Sequence, residues 1–103
     1  MSGIRIKAAM SGDNAVVKCL MQHPMETGFR KDAKTGQLIP AHFINHVTAT
    51  VAGKTVLDAQ WGGAISANPF LEFRVAGAKS GDQVVISWED NKGEKDSADA
   101  TIA

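Results

Sequence analysis

An all-β sandwich is what this 103-residue sequence predicts, on three observations. Apolar and polar residues alternate along most of the chain, the pattern of half-buried strands. Short turns rich in Gly, Asp and Asn separate the alternating runs. Alternation dominates over any helical period.

Ile4, Ile6, Ala8 and Met10 alternate with Arg5 and Lys7 and open the chain as a strand. Ser11-Gly12-Asp13-Asn14 supplies turn chemistry, and residues 15–22 run extended again. Alternation stops over HPMETGFRKDAKTGQLIP and resumes from Ala41. There Phe43, Val47, Ala49 and Val51 share one face, while His42, Ile44, His46, Thr48 and Thr50 share the other. Ala52-Gly53 is a short hairpin signal leading into residues 54–61, with Leu57, Ala59 and Trp61 facing inward. WGGAISANP reads as a loop, because paired glycines weaken a strand and Asn68-Pro69 starts the next element. Leu71, Phe73 and Val75 alternate with Glu72 and Arg74; GAKSGD then turns the chain into residues 83–89, with Val84, Ile86 and Trp88 on one face. DNKGEK is a further hairpin turn, and Ala98, Ala100 and Ile102 finish the sheet. The expectation is an immunoglobulin-like β-sandwich of about seven antiparallel strands, with a long extended arm between the second and third. It forms a single domain over residues 1–103. Trp61 and Trp88 are its large core pieces.

Lys plus Arg equals Asp plus Glu at 11 each, so no global field directs the chain to nucleic acid or anionic lipid. No apolar run approaches the ~18 residues of a membrane-spanning helix. The opening MSGIRIKAAM has charges at Arg5 and Lys7 and lacks an apolar h-region, so no signal peptide is expected. Taken alone, that points to the cytoplasm. Cys19 is the only cysteine, which excludes an internal disulfide.

CLMQHPM sets a thiol, an imidazole and a thioether close together in Cys19, His23 and Met25, the soft ligands of small copper β-sandwiches. A stand-alone metal-binding or redox sandwich using these three is therefore the alternative reading. Ligand order opposes it, because no histidine precedes Cys19 and the second imidazole would have to come from His42 or His46. Four residues of strand separate those two by roughly 13 Å, too far to share an ion. All three histidines read as ordinary, partly exposed strand residues. Cys19 reads as a small buried hydrophobe, since a reactive thiolate needs a base, a cation or a helix N-terminus beside it. With no phosphate loop, nucleophile elbow or convincing carboxylate pair, no enzyme activity and no cofactor are expected.

Residues 23–40 form an 18-residue connection, beyond the usual ~2–5 of a hairpin loop. Pro24 and Pro40 hold the preceding residues extended, so both ends of the arm are stiff. Two readings remain open. In one, the apolar residues of the arm pack on the domain. In the other, the arm is a protruding surface for another protein, with Met25 and Phe29 as anchors. The candidate partner surface is Met25, Phe29, Phe43 and the loop Trp61, Gly62, Gly63, Ala64, Ile65 and Ser66. Without a partner, such an apolar patch favours a homodimer.

HPMETGFRKD, LIPAHFI, WGGAISANPFLEF, GAKSGD and WEDNKGEKDSADATI, in that order and over nearly the whole chain, resemble the SoxZ family, a subunit of the SoxYZ thiosulfate-oxidation carrier. The resemblance implies an immunoglobulin-like subunit that pairs with SoxY. SoxY would carry the substrate on a cysteine in a glycine-flanked C-terminal tail and present it to Sox enzymes. DADATIA is no such tail, and Gly62-Gly63 is followed by Ala64 rather than cysteine, so the carrier chemistry is expected in the partner. The resemblance also implies a periplasmic location, reached by export together with SoxY.

Overall fold

Gly12 adopts φ 63°, the left-handed conformation a tight turn requires. Strands β1 (Ile4–Ser11) and β2 (Asn14–Met21) therefore pair antiparallel, from Ser11 opposite Asn14 to Ile4 opposite Met21. Ala52 at φ 51° and Gly53 at φ 81° make a second tight turn, joining β3 (Ile44–Val51) to β4 (Lys54–Gln60). After the arm, β4 leads through the 61–69 loop to β5 (Phe70–Ala76), then β6 (Gln83–Asp90) and β7 (Lys95–Thr101). This computed structural model describes residues 3–103; Met1 and Ser2, the start of the stretch read as carrying no signal peptide, lie outside them. Among the described residues no helix is long and apolar enough to cross a membrane.

The seven strands form a sandwich of two antiparallel sheets, β1-β2-β5 and β4-β3-β6-β7. This is the expected all-β architecture, with the arm between the second and third strands. Its core follows the period-two pattern. Val17, Cys19 and Met21 of one sheet are buried with Val47, Ala49, Val84 and Ile86 of the other. Trp88 joins that core, whereas Trp61 is half-buried against its edge. The β1 and β7 side is sealed, because Ala103 exchanges backbone bonds with Ala8 and Met10 at 2.9 and 3.1 Å. Among the described residues, strands β4 and β5 are the free edges on the other side.

One face assignment changes. The β3–β6 pairing shifts between Ile44 and His46, a bulge that adds a residue to β3 and reverses the parity at its start. Ile44 is consequently buried with Val47, while Phe43, expected on the Val47 face, lies half-buried before the strand.

Ala52 is a poor residue for φ 51°, where asparagine is tolerated far better. Ala52→Asn is expected to stabilise the fold by about 1 kcal/mol. Urea unfolding with an unchanged m-value would show it.

Candidate functional site

The arm is a folded ribbon. Glu26 and His42 exchange backbone hydrogen bonds of 2.6 and 3.0 Å where it leaves the sandwich. Further out, Ile39 donates to the Arg30 carbonyl and Asp32 to the Gln37 carbonyl, both at 2.8 Å. Arg30 reaches back to pair with Glu26 through its Nε at 3.1 Å. Residues 33–38 at the tip are exposed.

At the base of the ribbon lies a buried carboxylate. Asp90 continues the inward parity of Val84, Ile86 and Trp88, and its side chain is fully buried. Its Oδ2 accepts from His23 Nε2 at 3.0 Å and from His42 Nε2 at 2.8 Å. Its Oδ1 accepts from the amides of Lys92 at 3.0 Å and Glu94 at 2.9 Å, in the β6–β7 turn. Burial pushes the carboxyl up, but the hydrogen bonds from His23, the Glu94 amide, His42 and the Lys92 amide outweigh it and hold the group at about 2. The His23 ring packs edge-on against His42 and Trp88, with centroids 4.4 and 5.0 Å apart. Asn91 extends the grip, accepting from the Phe43 amide at 2.8 Å and donating to the Ala41 carbonyl at 2.9 Å.

This cluster corrects the reading of the histidines. His23 is buried and His42 partly so, and both precede β3 on the two legs of the arm. Only His46 is a partly exposed strand residue, paired with Asp58 at 2.7 Å. The missed signal was Asp90 itself, because a carboxylate on the inward face of a strand requires buried donors.

His23, His42 and Asp90 are near enough to chelate a cation, with ligand atoms all within 4.8 Å of one another. The proton on His23 opposes it. His23 Nδ1 accepts the Met25 amide at 3.2 Å, so in the neutral ring the proton sits on Nε2 and points at Asp90. A ligating histidine instead offers one lone pair to the metal and donates from its other nitrogen. The copper-type triad does not assemble either. Cys19 is outside the cluster, and Met25 Sδ accepts the Ile44 amide at 3.3 Å. Cys19 is 1% exposed, and burial pushes its thiol up to about 11 although a hydrogen bond from the Leu71 backbone lowers it.

The 61–69 loop docks on the arm. Asn68 donates its amide to the His23 carbonyl at 2.9 Å, and its Oδ1 accepts the His23 amide at 3.1 Å. A Cβ on Gly63 would lie 3.2 Å from Thr27 Cα, so glycine permits this approach. Met25, Gly63, Ala64, Ile65 and Ser66 come together around an open groove of about 590 Å³, with Glu26 and Arg30 on its arm side. Phe43 sits beneath Gly63, and Trp61 lines a separate depression with Asn45, His46 and Gln60. Gly62 is exposed outside the groove. Of the two expected arm anchors, Phe29 is 86% exposed, but Met25 is 5% exposed and belongs to the core. Met25 supports this surface from below.

Asp90→Ala is expected to cost about 3 kcal/mol, because it strands a buried His23 N–H and releases two turn amides. In the intact chain, the Asp90 contribution is full above its unfolded value of 3.8 and is lost as pH falls toward about 2. That contribution is about 2 kcal/mol. Urea titrations between pH 5 and 2 should therefore show an acid-dependent step that Asp90→Ala lacks.

No curated protein matches this chain. A family profile described as "Sulphur oxidation protein SoxZ" matches residues 4–101, from the first residue of β1 to the last of β7. With every strand, the arm and the docked loop inside that match, the chain belongs to the SoxZ family of sulphur oxidation proteins.

Proposed function

We propose that this SoxZ-family chain serves thiosulfate oxidation as the non-catalytic half of a SoxYZ heterodimer. It binds SoxY through the face made by the arm and the 61–66 loop. SoxY holds the substrate on its C-terminal cysteine, and the pair presents it to Sox enzymes. The observation that carries this reading is Phe29, an aromatic side chain 86% exposed on a ribbon locked to the body by a buried carboxylate. Isolated exposed aromatics on ordered supports suit interface anchors, because little conformational entropy is lost when they bind. The groove beside the arm offers the exposed Ala64 and the half-buried Ile65 as further apolar contacts. The proposed location is the periplasm, reached together with SoxY.

Burial supports placing the sulfur chemistry in the partner. A carrier thiol must enter one enzyme pocket after another on a mobile segment. Cys19 is paired within β2 between β1 and β5, and its raised pKa leaves little thiolate at neutral pH.

Phe29→Ala is expected to weaken SoxY binding roughly tenfold or more while leaving the unfolding curve unchanged. Met25→Ala should do the reverse first, lowering stability by about 2–3 kcal/mol. Calorimetric titration and urea unfolding read the two quantities separately; unchanged SoxY affinity across all single alanine variants in the arm would sink this placement.

Cys19→Ala is expected to leave thiosulfate oxidation by a reconstituted Sox system unchanged. Intact-mass spectra during turnover should find sulfur adducts on SoxY and none on this chain. An adduct on Cys19 that appears and disappears with turnover would overturn the assignment.

A further inference from the structure

We propose that β5 pairs with β5 of a second copy of this chain, antiparallel, about a two-fold axis through Phe73. The proposal does not rest on the SoxY reading, since it concerns a free sheet edge rather than the arm. Among the described residues, β5 has β2 on one side and no strand on the other. Met21 donates its amide to the Pro69 carbonyl at 3.0 Å, and bonded pairs alternate along an antiparallel ladder. Leu71, Phe73 and Val75 therefore bond to β2, while the main-chain groups of Phe70, Glu72, Arg74 and Ala76 point away from it.

Those outward groups accept a copy of the same strand in one favoured register. With the axis at Phe73, Glu72 lies opposite Arg74 of the copy and Arg74 opposite its Glu72. Phe70 lies opposite Ala76 in the same way. All are bonded pairs between outward-pointing main-chain groups, and the Glu72–Arg74 ion pair is formed twice by symmetry. Sliding the copy by two residues sets Glu72 against Glu72 or Arg74 against Arg74, placing like charges directly opposite. Sliding by one residue mismatches the main-chain groups. The charges thus select a register as well as permitting one.

The side chains around the axis also gain from closure. Phe73 is only half-buried, because the sandwich is unsealed between its free edges β4 and β5. At the axis it meets its own copy as a close, non-bonded cross-strand pair, which favours aromatic residues. Glu72 already has Lys18 at 3.8 Å on β2, so the new arginine adds to a cationic flank. Pro69 precedes the strand and leaves no proline within it, and β5 has no bulge in its pairing with β2.

Sedimentation equilibrium on the chain alone tests the proposal. A reversible dimer is expected. Glu72→Arg and Arg74→Glu should each raise its dissociation constant roughly tenfold or more, by setting like charges opposite at two symmetric places. An equimolar mixture of the two variants should dimerise again, because each cation of one then meets an anion of the other. The double variant Glu72→Arg/Arg74→Glu should dimerise by itself. Both side chains are exposed in the monomer, so circular dichroism should be unchanged throughout. A chain monomeric at all concentrations, a dimer indifferent to the single swaps, or a mixture that stays monomeric would each overturn the pairing. Loss of the dimer on Phe29→Ala with no effect of the swaps would overturn it too, moving self-association to the arm.

Discussion

A carboxylate that must be satisfied away from water organises the arm end of this molecule. Asp90 is the last residue of β6 and points inward, where an unpaired charge would be costly. It is satisfied by two arm histidines and two turn amides, so one side chain joins the arm, the β6–β7 turn and the sandwich. The two histidines are 19 residues apart in sequence, one on each leg of the ribbon. Holding both legs at one point closes the base of an 18-residue connection that could otherwise move freely.

From that closure the neighbouring features follow. With His23 fixed, Met25 turns inward at φ 52°, and its sulfur meets the Ile44 amide ahead of the bulge in β3. The backbone of His23 is then the surface on which Asn68 docks the 61–69 loop. A groove arises between two segments that are distant in sequence, and its floor is core. Preorganisation of this kind lowers the ordering cost a binding surface would otherwise bear. It also separates roles within the arm, since Met25 holds the surface in place and Phe29 remains on it.

The same sheet that carries Cys19 shows why a cysteine type alone says little about chemistry. Cys19 shares the inward face of β2 with Val17 and Met21, and burial drives its thiol away from ionisation. Asp90 is driven the opposite way in a comparably dry place because donors surround it. Burial disfavours both charges. Asp90 starts as the stronger acid and has four donors, enough to outweigh its burial, whereas the one hydrogen bond to Cys19 does not.

Alternation was enough to read the sandwich, its turns and most of its core from the sequence, because side-chain direction in a strand has a strict period of two. Cys19, Val17 and Met21 inside, Leu57 and Phe73 at the inner edge, and the arm between β2 and β3 were all legible in that way. The family resemblance rested on local motifs, which are also sequential. The bulge at Ile44 was not legible, since one extra residue reverses parity without changing composition. Neither was the His23–Asp90–His42 cluster, whose members stand 67 and 48 residues apart. Sequence could flag Asp90 as a carboxylate on an apolar face, but its donors arrive only when the arm folds back over the β6–β7 turn. Pairing across such separations is a property of topology, and it decided that these imidazoles hold an arm in place, where sequence alone had left them on open strands.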